Sequence, residues 1–132
     1  MTALGRHRWA ISAGWIPAHG CGPEPMFTSR DTLRLLNTGD RLANVRLRVL
    51  YATHGEVGPY RITVAACRLR RLRVNDLIFP EAVRLEEAYG LLIESDVPIV
   101  VQFTRQDTRA AANAGMLCVA WPVDRAIDRR ST

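Results

Sequence analysis

Ala43-Asn44-Val45-Arg46-Leu47-Arg48-Val49-Leu50-Tyr51 sets Val45, Leu47, Val49 and Tyr51 on one side and Asn44, Arg46, Arg48 and Leu50 on the other. Successive side chains of an extended chain point to opposite faces, so this stretch reads as a strand with one buried face. The same period of two returns at Pro98 to Thr104, where Ile99, Val101 and Phe103 share a face opposite Val100, Gln102 and Thr104. Its proline stands at the strand start, where a missing N–H is tolerated. Thr32 to Asn37 points Leu33 and Leu35 inward, and Thr38-Gly39-Asp40 after it supplies turn chemistry that predicts a hairpin with the strand over 43–51.

Shorter stretches of the same character lie at Tyr60 to Val64, Cys67 to Val74, Leu91 to Ser95 and Gly115 to Trp121, with a first strand within Trp9 to Ile16. Arg84 to Tyr89 has the makings of one helical turn, too short to alter the class. No long window carries a helical stripe. About eight short strands separated by Gly, Pro and Asn turns predict an all-β sandwich or jelly-roll.

A chain of 132 residues fits one domain, placed at 1–121, followed by a loose Arg-rich tail at 122–132. Hydrophobic residues at 48% and charged residues at 23% are ordinary for a globular protein. All 18 basic side chains are Arg and none is Lys, which excludes Schiff-base chemistry and a phosphate-loop lysine. The formal charge of +5 permits nucleic acid or anionic ligands without demanding either. Cys21, Cys67 and Cys118 form no short pair, so neither a disulfide framework nor a zinc site is indicated, and a reducing cytoplasmic setting is expected. Arg6 and Arg8 precede an apolar stretch, but it is too short for a signal core and is interrupted by Gly14.

Three polar clusters are candidates for function. Trp15 to Phe27 is dense in Pro and Gly and holds Glu24 between two prolines; its plain structural reading is a rigid edge-covering loop. Arg73-Val74-Asn75-Asp76 places two directional donors at a strand end, or forms a simple turn. Gln102, Thr104 and Arg105 share a region that is either a pocket or a wet strand face. Known catalytic motifs are missing: no nucleophile elbow, no His-Glu-x-x-His, no phosphate-binding glycine loop and no Cys-x-x-Cys, so no catalytic residue, metal or cofactor is expected. Arg68, Arg70, Arg71 and Arg73, with Arg46 and Arg48, raise the alternative of DNA binding, against which no aromatic interleaving or recognition-helix pattern is seen.

At these clusters the chain resembles the sensory rhodopsin transducer family. The resemblance is carried by Trp9-Ala10-Ile11, Gly22-Pro23-Glu24-Pro25, Leu36-Asn37 with Gly39-Asp40, Val57-Gly58-Pro59-Tyr60-Arg61, Arg73-Val74-Asn75-Asp76-Leu77 and Val97-Pro98-Ile99-Val100-Val101-Gln102 with Thr104-Arg105. It spans residues 8 to 121, with departures at 52–56 and Leu72. It implies a β-sandwich similar to carbohydrate-binding modules that assembles as a homotetramer in the cytoplasm. The expected function is non-enzymatic: binding of a small polar, sugar-like ligand and passage of a signal. Coupling to a membrane photoreceptor or regulation through DNA are alternatives. Trp9, Glu24, Asn37, Tyr60, Arg73, Asn75, Gln102 and Arg105 are the residues expected to line one shared polar and aromatic pocket. A sugar ring would stack on Trp9 or Tyr60 while the others exchange hydrogen bonds with its hydroxyls.

Overall fold

The computed structural model describes residues 2–18, 29–107, 114–118 and 120–123. Among the described residues eight strands carry the fold: β1 (Arg6–Gly14), β2 (Arg30–Asn37), β3 (Ala43–Tyr51), β4 (Gly55–Val64), β5 (Arg68–Arg73), β6 (Tyr89–Asp107), β7 (Ala114–Cys118) and β8 (Trp121–Val123). One short 3₁₀ turn follows β5 at Val74–Asp76. The all-β expectation holds.

β6 organises everything else. It runs for 19 residues, and from Tyr89 to Phe103 its odd-numbered side chains point inward. Its first half lies between β3 and β1 in a larger sheet ordered β4-β3-β6-β1-β8, and its second half lies between β2 and β7 in a smaller one, with β5 beyond β2. All pairings are antiparallel. The two sheets bury their inner faces in one core, where Leu47 and Ile93 of the larger meet Leu33, Leu35 and Phe103 of the smaller, all fully buried. Such alternation is what two packed sheets demand of their strands.

Several expectations need correction. Leu91–Ser95 and Pro98–Thr104 are a single strand, with Pro98 inside it. Opposite β1 the register jumps from Glu94 to Ile99 across only one intervening β1 residue, so β6 bulges where it passes between the sheets. Pro98 sits in that bulge, where no ladder hydrogen bond is lost. Nor do β2 and β3 form a hairpin, since each belongs to a different sheet. Asn37 turns the chain between them: its amide donates to the carbonyls of Arg41 (2.8 Å) and Val64 (3.1 Å) and its Oδ1 accepts from the Gly39 amide at 3.0 Å. The helical turn expected over 84–89 is irregular chain instead, and the first strand begins earlier, at Arg6. The expected closing strand is two strands, β7 and β8, the latter including Pro122 and Val123; residues 124–132 of the expected tail lie outside the described residues.

Candidate functional site

The outer face of the smaller sheet is built by three adjacent strands whose register fixes its chemistry row by row. Arg71 of β5 stands opposite Arg34 of β2, which stands opposite Gln102 of β6. In the next row Arg73, Thr32 and Thr104 are aligned, and Arg30 faces Gln106 beyond them. On the other side the row Leu69, Leu36 and Val100 is apolar. Directly opposed residues share a face, so the polar rows form one continuous surface. It dips into a groove of about 510 Å³ lined by the four arginines, Thr32, Thr104 and Gln106. Arg34 Nη1 donates to Thr104 Oγ1 at 3.2 Å, and Arg73 grips Asp76 through Nε and Nη2 at 3.2 and 3.0 Å. Two further grooves of similar volume share Arg61 and Arg70: one adds Arg46 with Asn44, Thr63, Ser95 and Asp96, and the other adds Arg71, Arg73 and Asp76.

Behind this face lies a buried polar network on the intervening residues of the same strands. Asp31, between Arg30 and Thr32, is fully buried. Its carboxylate accepts from the Tyr89 hydroxyl at 2.6 Å, from the Trp15 amide at 3.1 Å and from Arg105 Nε at 3.2 Å. Arg105 also donates to the Ala13 carbonyl. Asn75 Oδ1 accepts from the Asp31 amide at 3.2 Å while its Nδ2 donates to the Ser29 carbonyl at 2.9 Å. Burial pushes the Asp31 carboxyl above the usual carboxylate range, with the Tyr89 hydrogen bond and the Arg105 charge pulling against it. Burial and the neighbouring carboxylate hold the Tyr89 phenol well above its ordinary value. The network therefore ties β2, β6, the 3₁₀ turn and the chain leaving β1 together through charge and hydrogen bonds.

Of the eight residues expected to share a pocket, the structure brings some together and separates others. Asn75 and Arg105 meet at Asp31, and Arg73 lines the groove in front of it. Gln102 is exposed on the groove side, in the Arg34 row. Trp9 lies in the core, its Nε1 donating to the Ile99 and Arg6 carbonyls at 3.0 and 3.2 Å. Tyr60 is also core, its hydroxyl donating to the Glu81 carbonyl at 2.6 Å and burial pushing it up to about 12. Both rings are enclosed within the chain, so neither presents a face to a ligand. Asn37 is the turn organiser described above. Glu24 lies outside the described residues.

Sequence reading missed Asp31, Tyr89, Arg30 and Arg34, and named Arg71 only as a contact in the DNA-binding alternative. Parity was the available signal: Asp31 falls on the inward side with Leu33 and Leu35, and Arg30 and Arg34 on the outward side. The Arg68–Arg73 run divides likewise, Arg71 and Arg73 entering the groove while Arg70 turns to the Thr63 carbonyl. The large exposed aromatic on the opposite sheet is Trp121, at 71% exposure beside Leu50 and Leu92. Among the described residues no cluster of three or more His, Cys, Asp or Glu could hold a metal ion, and no helix is long and apolar enough to cross a membrane.

With the sandwich and its Arg-lined groove in view, comparison with known families is decisive. The model of the family described as Anabaena sensory rhodopsin transducer matches residues 4–122. The chain belongs to that family. Among solved structures, one named Anabaena sensory rhodopsin transducer is 44% identical, superposes with a TM-score of 0.72, and covers 78% of this chain and 99% of its own. A second, Thermotoga maritima 1070, is 24% identical with a TM-score of 0.78, over 92% of this chain and 98% of its own, and bears on the fold alone. Comparison with curated protein sequences returns no match. Membership supports a transducer role for this sensory rhodopsin transducer family protein and agrees with the resemblance read from its motifs.

Proposed function

We propose that this chain is a non-enzymatic signalling protein that takes up a small polar, sugar-like ligand in the groove on the outer face of its smaller sheet and passes occupancy to another component. The observation that carries the reading is the convergence of Arg30, Arg34, Arg71 and Arg73 with Thr32, Thr104 and Gln106 around one recess. Directional donors and hydroxyls of this kind match the multiple hydrogen-bonding groups of a polyol, each of which is costly to desolvate unmatched. The buried network behind the recess supports the signalling half, because the strands that form the groove also hold the chain segment leaving β1 through Asp31. A homotetramer in the cytoplasm belongs to the same proposal; exposed Leu36 and Leu69 on one face and Leu50, Leu92 and Trp121 on the other supply apolar surface for subunit contacts.

A thermal-shift screen over neutral sugars, sugar acids, sugar phosphates and nucleotides tests it. A ligand at about one hundred times its Kd stabilises the native state by about 2.7 kcal/mol, a readily measured rise in Tm. A panel without a single stabilising compound would remove the ligand reading. The 44% identity to a protein named as a sensory rhodopsin transducer favours a second reading, in which a membrane photoreceptor is the partner. Light-dependent co-purification with a microbial rhodopsin would favour it over the first. Regulation through DNA has less support; tight, steeply salt-dependent binding to duplex DNA would revive it.

A further inference from the structure

We infer that the groove selects an anionic ligand carrying hydroxyls, such as a sugar phosphate or a sugar acid, over a neutral sugar; this rests on the proposed function and narrows the ligand class of that same groove. Among the described residues four guanidinium groups line it and no carboxylate does. Asp76, the carboxylate beside it, is bound to Arg73. Arg34 and Arg71 are direct cross-strand neighbours, a like-charge pair that destabilises a sheet until an anion is placed between them. The hydrogen bond from Arg34 to Thr104 goes to a neutral hydroxyl and does nothing to offset that repulsion. Guanidinium forks suit a carboxylate or phosphate oxygen pair, which a neutral hydroxyl cannot replace.

The rows then specify the rest of the ligand. Alternate residues of a strand are about 6.8 Å apart and neighbouring strands about 4.8 Å. An anion held at the Arg34–Arg71 row therefore places the body of its carrier over Thr32, Thr104 and Arg73, about the span of a hexose with a terminal charged group. The apolar row Leu69, Leu36 and Val100 closes the strip on the other side of that pair. A polymer whose charge repeats along its backbone finds no continuation past that row, and the arginines that do continue beyond Arg71 and Arg73, at Arg61 and Arg70, make duplex DNA the competitor to test.

Isothermal titration of the full chain with glucose 6-phosphate, gluconate, glucose and inorganic phosphate tests the inference. At least one of the first two should bind about tenfold or more tighter than both glucose and inorganic phosphate, and Arg34→Gln or Arg71→Gln should remove that advantage. Which of the two wins separates phosphate from carboxylate recognition. Arg46→Gln, on the larger sheet, should change nothing. Because each groove variant removes one of two opposed like charges, its unliganded Tm should stay level or rise, which separates lost binding from lost folding. Glucose binding as tightly as its phosphate, undiminished by Arg34→Gln, would overturn the anion preference and leave the proposed function standing. Inorganic phosphate alone matching the sugar phosphate would overturn the requirement for hydroxyls. Duplex DNA displacing every small ligand would overturn the small-anion class, and binding of none of the probes would overturn this inference together with the function it rests on.

Discussion

Replacing Asp31 by alanine strips the acceptor from three donors at once: the Tyr89 hydroxyl, the Trp15 amide and the Arg105 guanidinium. Each donor left buried without a partner costs about 1–3 kcal/mol. Trp15 and Arg105 are partly reachable by water, Arg105 being 15% exposed in its side chain, so the sum falls short of three full penalties. Breaking one half of a buried ion pair costs about 3–5 kcal/mol, and that range is the expected loss. Asp31→Asn keeps one oxygen for Tyr89 or Trp15 and forfeits the charge facing Arg105, for an expected loss of about 1–2 kcal/mol. Urea unfolding followed by intrinsic fluorescence separates the two, since with a slope of about 2 kcal/mol/M the alanine midpoint should fall by about 2 M and the asparagine midpoint by less than 1 M. Loss below about 1 kcal/mol for alanine, or equal losses for the two variants, would refute the claim that this network ties the strands together.

Gly14 packs against the Tyr89 ring so closely that an added Cβ would lie 2.3 Å from it, and the ring is held by its bond to Asp31. Gly14→Ala should therefore cost about 1–3 kcal/mol, read as a Tm lowered by several degrees; an unchanged Tm would mean the ring moves freely. Asn37→Ala leaves the Arg41 and Val64 carbonyls and the Gly39 amide without their partner and should cost about 2–4 kcal/mol in the same urea assay. Glu87 offers a test by pH. Against the upward push of desolvation, hydrogen bonds from Thr53 and His54 lower it from 4.5 to about 2. A carboxylate depressed in the folded state stabilises above its unfolded value, and that contribution is lost as pH falls from 4.5 toward 2. The Tm difference between the parent and Glu87→Gln should shrink over that window; a difference that grows on acidification would contradict the assignment.

How far the sequence reveals this molecule depends on which physical question is asked of it. Burial parity is local, so Val45, Leu47 and Val49, and likewise Ile99, Val101 and Phe103, could be assigned inward before any coordinates, and all are buried. Pairing is not local. Parity says nothing about which sheet a strand joins, so the turn after Asn37 suggested a hairpin where the chain in fact changes sheets. The bulge at 95–98 likewise has no period of its own, and Pro98 suggested a start where β6 runs through. At the candidate site Arg73, Asn75 and Arg105 were legible as polar groups near strand ends. Asp31 was passed over because the strand was begun two residues late, at Thr32 rather than Arg30, which hid a carboxylate in line with Leu33 and Leu35. Trp9 and Tyr60 looked like ligand platforms because aromatic residues carry the same letters in a core as on a surface; only the Nε1 and hydroxyl partners show that the fold itself has claimed them.

The same parity makes groove and network inseparable. Along β2 the order Arg30, Asp31, Thr32 puts a buried carboxylate between two groove residues, and along β6 Thr104, Arg105, Gln106 repeats the arrangement with its partner cation. Thr32 lies opposite Thr104 in the ladder and Asp31 opposite Arg105, so a shift of one strand past the other alters the outer and inner contacts together. Under the proposed function, a ligand that draws Thr32 and Thr104 into a preferred geometry must then act on the Asp31–Arg105 pair, and by linkage a change in that pair must act on the ligand by the same factor. Asp31→Asn touches nothing in the groove, yet it should change the affinity of whichever ligand the screen returns by about fivefold or more, the low end of measured couplings between sites. Asn37→Ala, a destabilising change at the far end of β2, should leave that affinity alone. Equal affinities for the parent and Asp31→Asn would show that the two faces of the sheet act independently, and a signal leaving the groove would then need another route than the chain held at Ala13 and Trp15.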